Sequence, residues 1–343
     1  EMTSSLVGSE MCIRDSFNTG KGEMVMNSQN NLSLQAHQVI REVQKAVIGK
    51  EECIRKVMMA ILASGHILLE DIPGVGKTTM ALAFSKALNL REKRLTFTPD
   101  VLPADLTGFT MYRKETGKFY YQPGAVMCNL FLGDEINRTS PRTQSALLEV
   151  MEEGQVSVDG VTHLLPRPFI VIATQNPAGS AGTQLLPQSQ LDRFTVCLTM
   201  GYPDINEEIS ILKGRIARNT IEQVAPAADA SELLRMQDEV RNIFIHDRIY
   251  RYIVSLIQAT RTNPMTELGV SPRGTLSLAR MAQANAYLRN KTYVTPDDIQ
   301  EVFMDVCAHR MILNAKARIS HLTPFSILEE ILKTVPGPSL RKS

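Results

Sequence analysis

Apolar residues recur at helical spacing from Leu32 (Leu32, Leu34, Val39, Ile40, Val43, Val47), and a second amphipathic stretch covers Glu51 to Ala63. Short apolar or β-branched runs follow at Ile67 to Leu69, Leu95 to Thr98, Leu130 to Leu132, Phe169 to Ala173 and Thr195 to Leu198. They are separated mostly by helical patterns or long connections, which predicts an α/β fold with a largely parallel five-stranded sheet covered on both faces. Gln155 to Val158, Asp159-Gly160 and Val161 to Leu164 form a two-residue hairpin signal. Phe97 to Gly108, punctuated by prolines and acids, reads as an ordered loop. From Pro203 the pattern is helical only, over Ile205 to Ala217, Ala230 to Arg241, Asp247 to Thr260, Thr275 to Leu288, Asp297 to Val302 and Ser326 to Leu332. The expected division is a leader over 1–26 foreign to the fold, a core over 27–202, a helical domain over 203–335 and a tail over 336–343.

The run Asp71-Ile72-Pro73-Gly74-Val75-Gly76-Lys77-Thr78 lies between the first strand signal and the helix-forming run Thr79 to Leu88. Strand, tight glycine-rich turn and helix in that order make a phosphate site. Gly74 and Gly76 let the backbone curl with its N–H groups inward, because a Cβ would block both the turn and the close approach of an anion. Lys77 adds a mobile positive charge, the helix aims its positive dipole end at the same spot, and the Thr78 hydroxyl is placed to ligate Mg2+. The pattern G-x-x-x-x-G-K-[ST] asks for Gly where Asp71 stands; Asp tolerates left-handed backbone angles, so the turn can still form. The turn at Val47, Ile48 and Gly49 closely precedes this strand and is a candidate contact for an adenine ring.

Asn129 to Glu135 is an apolar strand ending in two adjacent carboxylates, which buried strand ends rarely tolerate unpaired. Beside a phosphate loop the pair has a use: Asp134 to hold Mg2+ through water, Glu135 to polarise the water that attacks the γ-phosphate. Ser140 to Gly154 is a helix with Ser as N-cap, Pro at its first position and Gly after its end. Asn176 ends the strand that begins at Phe169, where α/β proteins place ligand contacts, and its amide could orient the water or touch the γ-phosphate. Arg273 sits in the first turn of a helix opened by Ser271-Pro272, where the macrodipole disfavours a cation; a nucleotide phosphate, or Glu267 nearby, would remove the conflict.

Charge adds little: 37 Lys+Arg stand against 36 Asp+Glu, which argues against a dominant electrostatic grip on nucleic acid. The hairpin Gln155 to Leu164 has no Lys or Arg between its ends, which weakens a role on DNA. Five scattered cysteines and six dispersed histidines give no disulfide framework and no zinc spacing. No apolar run approaches the roughly 18 residues of a membrane span.

Together these segments resemble an AAA+ ATPase, and in detail the MoxR family, over about Leu32 to Leu332. The resemblance rests on Pro73 to Thr78, Thr98-Pro99-Asp100-Val101-Leu102-Pro103, Asp134-Glu135-Ile136-Asn137-Arg138, Thr174-Gln175-Asn176-Pro177, Gln190-Leu191-Asp192-Arg193-Phe194 and Ser271-Pro272-Arg273. It implies a P-loop core with a C-terminal helical lid, ATP and Mg2+ as ligands, and ATP hydrolysis. Nucleotide contacts are implied for Ile48, Gly49, Pro73, Gly74, Val75, Gly76, Lys77, Thr78 and Thr79, with Thr78 and Asp134 on Mg2+. Glu135 is implied as catalytic base, Asn176 as first sensor, Arg193 as the finger inserted into a neighbouring subunit, and Arg273 as second sensor. The hairpin Gln155 to Leu164 matches the family's helix-2 insert. The family further implies a cytoplasmic ring, usually a hexamer, that remodels protein clients, often with a von Willebrand factor A domain partner. Gln188 and Gly179 stand where the family usually has acids. The competing expectations are a DNA-remodelling AAA+ motor and a nucleotide-gated scaffold with little turnover.

Overall fold

A computed structural model describes residues 32–72, 74–176, 186–217 and 220–338. Among the described residues nine strands precede the lid: β1 (Ile67–Glu70), β2 (Glu92–Thr96), β3 (Gly108–Arg113), β4 (Lys118–Pro123), β5 (Leu130–Asp134), β6 (Gln155–Val158), β7 (Val161–Leu164), β8 (Ile170–Gln175) and β9 (Val196–Leu198). Five of them form one parallel sheet in the order β2-β5-β8-β1-β9. The phosphate-loop strand β1 therefore neighbours the Asn176 strand β8, which neighbours the two-carboxylate strand β5.

Alternation along these strands builds a core on each face. Leu68, Phe131, Val171 and Ala173 point one way and pack with Phe97, Leu147 and Leu148. Ile67, Leu69, Leu130, Leu132, Ile170 and Ile172 point the other way, into a cluster with Ile54, Met80 and Phe84. Each of these Leu, Ile, Val, Phe and Met side chains, fully buried, contributes about 1.5–3 kcal/mol. The helices are α1 (32–46), α2 (Glu51–Leu62), α3 (Lys77–Ala87), α4 (Pro103–Thr107), α5 (Pro141–Glu153), α6 (Gln188–Leu191) and α7 (Ile205–Ala217). The lid adds α8 (Ala230–Arg241), α9 (Asp247–Thr262), α10 (Pro272–Leu288), α11 (Pro296–Cys307), α12 (Ala315–Ile319) and α13 (Pro324–Thr334). The second cluster continues without a break from α1 and α2 through the sheet into α8, α9, α10, α11 and α13.

Local chemistry sets the element ends. Ser140 Oγ accepts from Thr143 N at 3.3 Å and Gly154 ends α5 with φ 64°. Asp159 and Gly160, at φ 49° and 78°, form the tight turn between β6 and β7. Thr295 and Asp298 form a capping box on α11.

The sequence reading differs from the structure in three places. Asp71 is not left-handed; its N–H donates to Gln175 O at 3.2 Å, so it prolongs β1. The segment expected as loop holds α4, and the hairpin β3–β4 follows it unforeseen. Both faces of that hairpin are largely exposed, so no apolar alternation marks it. The helical lid also carries a short antiparallel pair, Thr266–Leu268 with Ile312–Leu313. Among the described residues, no helix is long and apolar enough to cross a membrane.

Candidate active site

The phosphate loop leaves β1 at Asp71 and enters α3 at Lys77, with Gly74 and Gly76 at φ 88° and 101°. Such angles strain any residue with a Cβ, so both glycines serve the turn. Pro73, assigned to this loop from the sequence, lies outside the described residues. Lys77 is 8% exposed. Its Nζ donates to the carbonyl of Asp71 and lies 3.3 Å from Asn176 Oδ1 and 3.4 Å from Gln175 O. Burial lowers the ammonium's pKa from its ordinary value, opposed by the carboxylates of Asp71, Asp134 and Glu135.

Asn176 links two functional groups. Its Oδ1 faces Lys77 while its Nδ2 donates to Glu135 Oε1 at 3.0 Å. The backbone of Glu135 is left-handed, φ 60° and ψ 45°, directly after β5. That costs on the order of 1 kcal/mol for a residue with a Cβ and turns the carboxylate off the strand line. The Glu135 N–H donates to Thr174 Oγ1 at 3.0 Å, and Arg138 lies 2.9 Å from its second carboxylate oxygen. Thr174, on the adjacent strand, thereby fixes the turn.

Asp134 is 6% exposed and lies 3.4–3.5 Å from the Thr78 hydroxyl. Arg94 Nε donates to it at 2.7 Å. A hydroxyl and a buried carboxylate facing each other fit a small hard cation whose remaining ligands are phosphate and water. Among the described residues no group of three or more His, Cys, Asp or Glu side chains could hold a metal by itself.

A cavity of about 580 Å³ opens beside the loop, lined by Val47, Ile48, Val75, Thr79, Tyr202 and Leu212 among others. Its apolar walls next to Gly74 and Gly76 suit a flat heteroaromatic ring. Gly49 lies outside it and lines a neighbouring cavity. A Cβ at Gly49 would come 2.0 Å from Glu207 Cδ, so this glycine makes room for α7.

Arg193 and Arg273 make no hydrogen bond to this cluster. Both bond to Glu152 near the end of α5: Arg193 Nε at 3.1 Å to one carboxylate oxygen, and an Arg273 terminal nitrogen to the other. Glu267, the protein partner weighed from the sequence, lies 3.8 Å from Arg318, and Arg273 bonds Glu152 in its place. The Asp192 carboxylate accepts from Ser271 Oγ at 2.9 Å and from Arg310 Nε at 2.8 Å, tying the last turn of the core to the lid. Gln188 donates to His309 O at 2.8 Å across the same seam. Sequence reasoning missed Arg94, Glu152 and Arg310, since each acts through a partner distant in the chain, and also Arg138, whose partner Glu135 is three residues away. For Arg94 alone a signal exists: the polar Glu92-Lys93-Arg94 at the start of β2 marks an edge strand, while its neighbour β5 is known only from the folded sheet.

Residues 66–196 match the ATPase family associated with various cellular activities (AAA), and residues 258–331 match the AAA lid domain. The chain is 44% identical to the uncharacterized protein YeaC of Bacillus subtilis, over 93% of this chain and 99% of that protein. It is 36% identical to the chaperone MoxR1 of Mycobacterium tuberculosis, over 88% and 82%. It is also 31% identical to the protein MoxR of Methylorubrum extorquens, over 87% and 94%. A crystal structure of a candidate ATPase from Cytophaga hutchinsonii superimposes with a TM-score of 0.87 at 34% identity, over 93% of this chain and 99% of that one.

Proposed function

The chain belongs to the MoxR family of AAA+ ATPases, and on that premise we propose that it hydrolyses ATP at sites completed between subunits of a ring, probing or remodelling a protein client with its hairpins. The γ-phosphate sits against Lys77, with the adenine in the cavity beside Ile48. Glu135 accepts a proton from the attacking water, which Asn176 helps to align while its other amide atom faces Lys77. Mg2+, when held by Thr78 and Asp134, supplies neutralisation of charge on the phosphate oxygens.

One observation carries the shared-site reading: Arg193 and Arg273 are joined to each other through Glu152 and not to the nucleotide cluster of their own subunit. Half-exposed and adjacent, they form a paired cation that serves the site of a neighbouring subunit.

The client reading draws support from two hairpins and from the relative named as a chaperone. Phe109, Met111, Tyr112 and Phe119 are exposed on β3–β4, and Val161 and Leu164 on β6–β7. The rings of Tyr121 and His163 stack at 3.8 Å and join the hairpins. A protein client, with a von Willebrand factor A domain protein as the family's example, fits such an apolar and aromatic surface. The tip of β3–β4 also bears Arg113, Lys114 and Lys118, with the Arg113 guanidinium 4.5 Å above Tyr120. These cations favour DNA as the second reading, distinguished by salt-sensitive stimulation of ATPase activity by duplex DNA.

Steady-state ATPase activity measured across protein concentration tests the proposal. Specific activity that rises with concentration and is absent in Glu135→Gln supports it; activity independent of concentration contradicts a shared site.

A further inference from the structure

Asp71 occupies the position at which the phosphate-loop pattern asks for glycine, yet its conformation needs no glycine. What distinguishes the residue is where its carboxylate goes. One oxygen accepts from Ile72 N at 2.8 Å; the other accepts from Met200 N at 2.7 Å and Gly201 N at 2.6 Å. The side chain is 9% exposed, and a buried carboxylate taking three backbone N–H groups forms strong, charge-assisted bonds.

Met200 and Gly201 follow β9, the last strand of the sheet, and lead through Tyr202 and Pro203 into α7. Gly201 turns the chain at φ 66°. Tyr202 and Pro203 line the cavity assigned to the nucleotide base, and the Met200 methyl is the nearest atom to the space beside Gly76, at 3.7 Å. Met200 and Gly201, set off from the end of β9 by one residue, thus lie at the start of the connection from core to lid, and they are held against the phosphate loop. The carbonyl of Asp71 meanwhile accepts from Lys77 Nζ.

We propose that Asp71 is a positioning residue that couples phosphate binding to the core–lid connection: its main chain contacts the phosphate-binding lysine and its carboxylate holds the connection at Met200 and Gly201. When Lys77 turns to a phosphate oxygen, the Asp71 carbonyl loses a donor while the carboxylate keeps its three. The loop and the start of the connection then move as one piece, carrying α7 and the cavity wall with them. A glycine at position 71 would allow the same loop but leave the two amide donors without that carboxylate.

The coupling rests on the reading that Lys77 holds phosphate, and nucleotide binding separates the two claims. The experiment uses the full chain with Asp71→Gly, which restores the glycine of the pattern, and Asp71→Asn, which keeps the shape but removes the charge. Fluorescent ATP-analogue binding, kcat and KM for ATP, and amide hydrogen exchange over 198–212 with and without ATP analogue are compared. The expected result is nucleotide affinity near the parent's, kcat lowered about tenfold, as for loss of one bond to a charged acceptor, and exchange over 198–212 that is faster and no longer responds to nucleotide. Parent-like kcat with a parent-like exchange response overturns the proposal; loss of nucleotide binding in both variants also overturns it, by making Asp71 part of the binding loop alone. In the unmodified protein, the Met200 and Gly201 amides must be protected with and without nucleotide, and exchange over 202–212 must change with nucleotide. Free exchange at the two amides, or exchange over 202–212 indifferent to nucleotide, rejects the tie without any variant. A parent that binds no nucleotide would instead reject the role of Lys77.

Discussion

Arg193 and Arg273 share one carboxylate, that of Glu152. Arg193 follows α6 in the core and Arg273 lies in the first turn of the lid helix α10, so the shared acid brings cations from both regions of the chain to one spot. Because the three groups are 30–40% exposed, the ion pairs themselves add little to folding. Their consequence is placement. Glu152→Gln is expected to leave the melting temperature nearly unchanged and to lower the protein concentration for half-maximal ATPase activity by about two- to fivefold, the scale of a surface ion pair. Thermal melts and activity against concentration check both parts.

Arg193→Ala is expected to bind ATP like the parent and to lose turnover by on the order of a thousandfold. Nucleotide titration beside steady-state kinetics separates the two effects. Unchanged turnover would remove Arg193 from the site.

Glu135→Gln keeps the hydrogen bond from Asn176 Nδ2 but cannot accept the water's proton. Turnover should fall by about a hundredfold or more with nucleotide affinity retained. Asn176→Ala should lower kcat as well, since Lys77 and Glu135 lose their common neighbour. Single-turnover measurements distinguish these effects from slow product release.

His66 gives the fold a pH dependence. Its Nδ1 accepts from Val171 N at 3.1 Å, which requires the neutral ring, and burial pushes its pKa down to about 4. A folded-state value below the unfolded one means that protonation favours unfolding, so stability is full above the unfolded pKa near 6.5 and is lost as pH falls toward 4. Between those limits, at pH 5, the loss is about 2 kcal/mol. Denaturant melts of the parent and His66→Gln at pH 7.5 and pH 5 check this, the parent falling more steeply.

The phosphate loop, the paired acids of β5, the asparagine after β8 and the parallel sheet were legible because each is a local pattern: a turn, a strand end, or an alternation of apolar residues. The β6–β7 hairpin was legible from Asp159-Gly160 for the same reason. The β3–β4 hairpin was not, since Phe109, Tyr112 and Phe119 are exposed and leave no buried face to mark its period. Nor were the pairings of Asp71 with Met200 and Gly201, of Arg94 with Asp134, or of two arginines with Glu152. Those depend on which strands lie side by side, and the order β2-β5-β8-β1-β9 is a property of the folded sheet. Asp71 shows the difference most clearly: the sequence identifies a departure from a pattern, and only the fold shows which amides its carboxylate meets.

The most direct test of a site shared between subunits mixes two inactive proteins. Arg193→Ala retains Glu135, and Glu135→Gln retains Arg193, so at mixed interfaces the intact base of one meets the intact arginine of the other. The account predicts that each protein alone is inactive and that the mixture regains a substantial part of the parent's ATPase activity, rising with total concentration. A mixture as inactive as its components, while both still bind ATP and assemble, would contradict it.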